Sequence, residues 1–107
     1  MTVMAEANLL ARARLLDQID LLAAGVNRVS ATAFVHQVDE IRCAAQQSRY
    51  PHIAELARGL ERTLADSAST VRTLAYIDAM RDALECAQAE PHMAQAFLAS
   101  INQRLYG

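Results

Sequence analysis

His36, Asp39 and Cys43 lie close together in the stretch from Ala31 to Gln47 and bring an imidazole, a carboxylate and a thiol into one segment. An imidazole can attack a phosphoryl group or carry a proton near neutral pH, a carboxylate supplies fixed negative charge, and a thiol becomes a nucleophile when a cation stabilises its thiolate. Whether these groups can act together depends on the face they share. With Phe34 at zero and about 100° per residue, Val38, Ile41 and Ala45 fall within about 40° of it. Asp39, Cys43 and His36 fall at about 140°, 180° and 200°. If the bulky residues turn inward, the three reactive groups look outward as one ridge. Gln46, at about 120°, extends that ridge. Arg42, at about 80°, stands at its edge near the helix C-terminus, where a cation is favoured.

Plainer roles compete at each position. His36 and Asp39, at i and i+3, also make an ordinary exposed helical pair. Cys43 also works as a small space-filler, since no basic residue is clearly aimed at it in the sequence. His36, His52 and His92 show neither a His-x3-His pair nor a Glu-x-x-His pattern, so no metal is expected. Arg58 and Arg62, with Glu55 and Glu61 nearby, read as a solvated charged face.

Composition narrows the classes further. A chain of 107 residues, 53% apolar with 3 Gly and 2 Pro, suits one compact core, and a single domain over 1–107 is expected. With 22 Ala, 13 Leu and no Trp, the balance favours closely spaced helices over a β-sandwich. All ten basic residues are Arg, which removes the P-loop lysine, Schiff-base chemistry and the protein-kinase lysine together. No Ser-His-Asp order, carboxylate pair or nucleotide loop can be assembled, so a binding or phosphotransfer module is expected rather than an enzyme. A net charge of −2 without a basic stripe argues against nucleic acid. Two cysteines separated by 43 residues, no signal peptide and no membrane-length apolar run predict reduced thiols, no membrane association and a cytoplasmic location. No cofactor is expected.

The elements that must position the ridge follow from apolar spacing. The first predicted helix spans Val3 to Ala24, where Leu9-Leu10, Leu15-Leu16 and Leu21-Leu22 form a broad apolar face, and it ends at Gly25 as a left-handed cap. Ser30 then caps a second helix over Ala31–Gln47, with Phe34, Val38, Ile41 and Ala45 as its buried stripe. A turn over Ser48–Tyr50 leads through Pro51 to a third helix, His52–Ala65, with Ile53, Leu56, Leu60 and Leu64 inward. Gly59 inside this helix marks close packing. After a loop from Asp66 to Thr70, a fourth helix covers Val71–Ala89 with Val71, Leu74, Tyr76 or Ile77, Ala79 or Met80, Leu84 and Ala87 as its apolar set. Glu90-Pro91 breaks the chain, and a fifth helix runs from Pro91 to Leu105 with Met93, Phe97, Ile101 and Leu105 on one stripe. Short connections make neighbours antiparallel. The expected fold is all-α: an antiparallel up-and-down four-helix bundle with an additional terminal helix.

The stretch from Phe34 to Ala45, reading FVHQVDEIRCAA, followed by Ile53 to Glu61, reading IAELARGLE, resembles the central helix pair of histidine-containing phosphotransfer (HPt) domains. That family carries its phosphorylated histidine on an exposed helix in the pattern H-x-x-K-G-[SA]-[SA], followed by a helix reading L-x-x-L-x-x-x-L-E. A gapless match of the second helix puts Ile53, Leu56, Leu60 and Glu61 on the apolar and acidic positions. It also puts Arg42 on the lysine, Cys43 on the glycine, and Ala44 and Ala45 on the small pair. The phosphoacceptor position then falls on Asp39, which has no imidazole nitrogen.

The resemblance implies a module of a two-component phosphorelay that docks a response-regulator receiver domain or a sensor histidine kinase through His36, Asp39, Arg42, Cys43 and Gln46. Asp39 would imitate the sign of a phosphoryl charge without carrying phosphate. Active phosphotransfer is the alternative, with His36, one turn earlier, as the acceptor in a shifted register. A non-signalling reading is a homodimer whose seam is made by Tyr76, Met80, Met93 or Tyr106.

Overall fold

A computed structural model describes residues 3–66 and 69–86 of the chain. These form four helices in order, α1 (Val3–Ala24), α2 (Ala31–Gln47), α3 (Pro51–Asp66) and α4 (Thr70–Cys86), with no strand among the described residues. Each helix packs on the next and α4 packs back on α1, with the α2–α3 contact the most extensive, so the four close into a compact all-α bundle. The predicted helix from Pro91 to Leu105, and the part of the fourth predicted helix beyond Cys86, lie outside the described residues.

The helix ends follow from local chemistry. Ser30 has an extended backbone, and its side-chain oxygen accepts the Ala33 N–H at 3.1 Å, satisfying one of the donors left over at the start of α2. At the other end the Ser48 N–H reaches the Ala44 carbonyl at 3.0 Å, Arg49 takes a left-handed φ of 63°, and Pro51 opens α3. The α1–α2 turn departs from expectation. Gly25 does not adopt positive φ; Asn27 does, at 62°, while the buried Gly25 donates to the carbonyls of Leu21 and Leu22 at 3.1 Å. Asn is among the few side chains that tolerate this conformation, so the reversal occurs two residues later than the glycine suggests.

The core joins Leu15, Ile19 and Leu22 of α1 to Phe34, Val38, Ile41 and Ala45 of α2. It continues through Ile53, Leu56 and Leu60 of α3 and Tyr76, Ile77, Met80 and Leu84 of α4. Burying each large aliphatic side chain contributes about 1.5–3 kcal/mol, which makes this shared interior the principal constraint on how α2 is rotated. Gly59 has a clear packing role, since a Cβ there would stand 3.0 Å from Cε1 of Tyr76.

Several faces differ from the sequence reading. Leu9, Leu10 and Leu21 are 57%, 70% and 61% exposed, so the leucine pairs of α1 do not all turn inward. Val71 and Leu74 are exposed on α4 rather than buried, and its core set begins at Thr73. Tyr76 and Met80 are buried, which removes them from any homodimer seam; Met93 and Tyr106 lie outside the described residues. No helix among the described residues is long and apolar enough to cross a membrane.

Candidate functional site on helix 2

The core stripe of α2 points its opposite side to solvent. Phe34, Val38, Ile41 and Ala45 are buried, and the His36 side chain is 73% exposed. His36 does not pair with Asp39. Its Nε2 lies 3.3 Å from Oε1 of Glu40, one full turn on, because residues at i and i+4 stack along a helix face. Glu40 was missed as a neighbour of His36, although its spacing was the signal that could have found it.

Asp39 belongs to a different cluster. Arg42 donates to Asp39 Oδ1 from Nη2 at 2.6 Å and from Nε at 3.2 Å, and its Nε also lies 3.6 Å from Oε1 of Glu61 on α3. Arg42 therefore stands between carboxylates from two helices. It lies one turn short of the end of α2, and these carboxylates hold it in place of the helix terminus. Its hydrogen bonds hold the Asp39 carboxyl below the ordinary 3.8, against a smaller opposing effect of partial desolvation. Reciprocally, the bond to Asp39 raises Arg42 above its usual value.

Glu61 departs from the solvated role assigned to it with Arg58 and Arg62. Its Oε1 is enclosed and meets Arg42 at ion-pair range rather than within a hydrogen bond, whereas Glu55, Arg58 and Arg62 are exposed. The charge pattern of α3 alone could not show this, because the partner comes from α2.

Cys43 is half-buried, and its Sγ lies 3.8 Å from Arg42 Nη2, so a basic group does reach it. That guanidinium is already engaged by Asp39. Gln46 is exposed but borders a second depression with Arg49, Glu55 and Arg58, away from His36. The structure thus brings His36, Asp39 and Glu61 together around one open depression with Ser30, Thr32, Ala33 and Val35, and sets Gln46 apart. Val35 also borders a neighbouring apolar cleft lined by Val26, Val29, Phe34 and Leu64.

Asp39 and Glu61 flank the Arg42 guanidinium while Glu40 lies against His36, so three carboxylates and one guanidinium give the ridge surplus negative charge when His36 is neutral. Such a surface can attract a cationic partner group or present an ionised carboxylate. Among the described residues, no group of three His, Cys, Asp or Glu is placed to hold a metal ion. Compared with protein-family models, curated proteins and solved structures, the chain matches none.

Proposed function

We propose that the chain is a non-enzymatic signalling module of HPt-like fold that docks a receiver domain or a sensor histidine kinase through the exposed ridge of α2. The observation that carries this reading is the rotation of α2, which buries Phe34, Val38, Ile41 and Ala45 and leaves the His36 side chain 73% and the Asp39 side chain 46% exposed. Asp39 stands where the resemblance implies a phosphohistidine. Arg42 keeps it ionised, so it offers a constant single negative charge where a phosphorylated ring would carry about two. Arg42, at the position of the family lysine, holds Asp39 instead of pointing freely outward. Cys43, half-buried at the ridge, is small enough to let a partner backbone come close, whereas Ala45 is buried in the core.

The exposed imidazole favours a second reading, phosphotransfer through His36. A ring nitrogen of His36 would attack the phosphorus of a receiver's phosphoaspartate, forming an N–P bond while the aspartyl carboxylate leaves. In the arrangement present, Nε2 faces Glu40 at 3.3 Å, so either Nδ1 attacks or the Glu40 side chain swings aside.

Titration of the full chain against a panel of receiver domains and sensor kinases, followed by amide NMR shifts, separates the readings. Docking predicts shifts centred on residues 36–43 and binding weakened about tenfold or more by Asp39→Arg, a charge reversal on the proposed contact. Shifts centred on another face, or no binding across the panel, would remove the docking reading. Phosphotransfer predicts acid-labile phosphate after incubation with a phosphorylated receiver, lost in His36→Ala; label that survives His36→Ala excludes His36 as acceptor.

A further inference from the structure

We propose that the apolar cleft at the start of α2, together with the acidic depression beside it, receives a segment of a partner protein that presents one leucine- or phenylalanine-sized side chain and one Lys or Arg about a helical turn apart. The inference rests on the reading of α2 as a docking face and specifies what the partner brings to it.

The cleft lies where the α1–α2 turn and the beginnings of α2 and α4 meet the last turn of α3. Val26, Val29, Phe34, Val35 and Leu64 line it with the threonines of α4, and no charged residue stands on its walls. Asn27 Nδ2 lies 3.5 Å from Thr70 Oγ1, which sets the turn against α4. Val29 and Val35 remain 40% and 42% exposed, so apolar surface here is still uncovered.

Volume decides the class of occupant. At about 210 Å³ the cleft falls below the roughly 300–1,000 Å³ of small-molecule sites, yet exceeds the cavity of about 150 Å³ that accepts a benzene ring. It has room for one large apolar side chain, the anchor of a protein partner rather than a whole small ligand.

Charge decides the rest. Val35 borders both the cleft and the acidic depression, so the two are continuous. Along α2 the lining passes from Val35 to Asp39, and along α3 from Leu64 to Glu61, one helical turn on each wall. Side chains at these spacings stand about 5–6 Å apart, the same separation as an anchor and a basic residue three or four positions away on an opposing helix. Arg42 donates its hydrogen bonds to Asp39 and meets Glu61 only at 3.6 Å. Two carboxylates therefore share one guanidinium, and one negative charge is left over when His36 is neutral. A single Lys or Arg balances it, whereas a wholly apolar partner would cover the carboxylates without pairing them.

A synthetic probe tests this chemistry: a helical peptide of alanine and glutamine with one Phe and one Arg four residues apart, titrated into the full chain and followed by methyl and amide NMR shifts. Shifts are expected at Val29, Val35, Leu64, Asp39 and Glu61. Binding should weaken at least about fivefold when the peptide's Phe is replaced by Ala or its Arg by Gln. No binding up to millimolar peptide, shifts centred on another face, or equal binding of the two control peptides overturns the proposal.

On the chain itself, Val35→Gln and Glu61→Gln should each weaken the probe at least about threefold with helical circular dichroism unchanged, and a folded variant that binds as well as the wild type refutes the site. Where a variant unfolds, the control peptides on the wild type decide. A receiver or kinase that shifts residues 36–43 yet binds Val35→Gln as tightly as the wild type leaves α2 as the docking face and refutes the cleft as its anchor. Probe binding in the cleft without binding of any receiver or kinase upholds the cleft and removes those two partners.

Discussion

Gly59 and Tyr76 offer a sharp test of how closely α3 and α4 approach. A Cβ at position 59 would lie 3.0 Å from both Cε1 and Oη of Tyr76 and 3.3 Å from Cζ, tighter than ordinary van der Waals contact. On an exposed helix, Gly→Ala stabilises by about 1 kcal/mol. Here the opposing ring is only 2% exposed and is packed into the core, so it has little room to retreat. Overpacking of this kind costs about 1–3 kcal/mol, which leaves Gly59→Ala anywhere from neutral to about 2 kcal/mol destabilising. Removing the ring with Tyr76→Leu should reverse the sign, so that Gly59→Ala in that background recovers about 1 kcal/mol. The expected coupling is about 1–3 kcal/mol. Urea unfolding of the wild type, both single variants and the double variant, followed by helical circular dichroism with a common slope, measures it. If Gly59→Ala stabilised both backgrounds equally, the close approach of ring and glycine would not limit the packing.

Substitutions at Arg42, Ser30 and Arg49 test contacts already described. Arg42→Ala should raise the Asp39 pKa from its lowered value toward or past the ordinary 3.8, read from the carboxyl carbon by NMR; an unmoved pKa would remove Arg42 as the cause. Because the folded carboxyl titrates below its unfolded value, its stabilising contribution is complete above the ordinary 3.8 and fades as pH falls through the lower folded value. The stability gap between wild type and Arg42→Ala should therefore narrow in acid, and a gap that widens there contradicts this linkage. Ser30→Ala should cost about 1 kcal/mol through loss of the cap bond to Ala33, with exchange quickening first at the start of α2; no change in unfolding midpoint would dismiss the cap. Arg49→Gly should stabilise by about 0.5–1 kcal/mol, because position 49 holds a left-handed φ of 63°, and a lowered melting temperature would contradict that reasoning.

Much of the site was legible before any coordinates, because helical period alone separates two faces of α2. Phe34, Val38, Ile41 and Ala45 repeat at 3.6-residue spacing, so their burial and the exposure of His36 are two consequences of one rotation. The boundaries of α1 and α2 and the turn at Ser48–Tyr50 were equally local, written in Ser30, Pro51 and uninterrupted apolar stretches. The end of α1 was less so: Gly25 suggested the reversal, and Asn27 performs it.

What only the tertiary structure decided concerns which helix stands beside which. Arg42 meets Glu61 because α2 lies on α3, and no pattern within α3 distinguishes Glu61 from the solvated Glu55. Tyr76 is buried over Gly59 while Val71, on the same helix, is 79% exposed. Apolar residues around more than half of a helix do not reveal which side a neighbour covers. Periodicity is a property of one helix and is carried in its sequence; pairing of charges and shielding of apolar faces belong to the gap between helices, where residues distant along the chain first come within reach of each other.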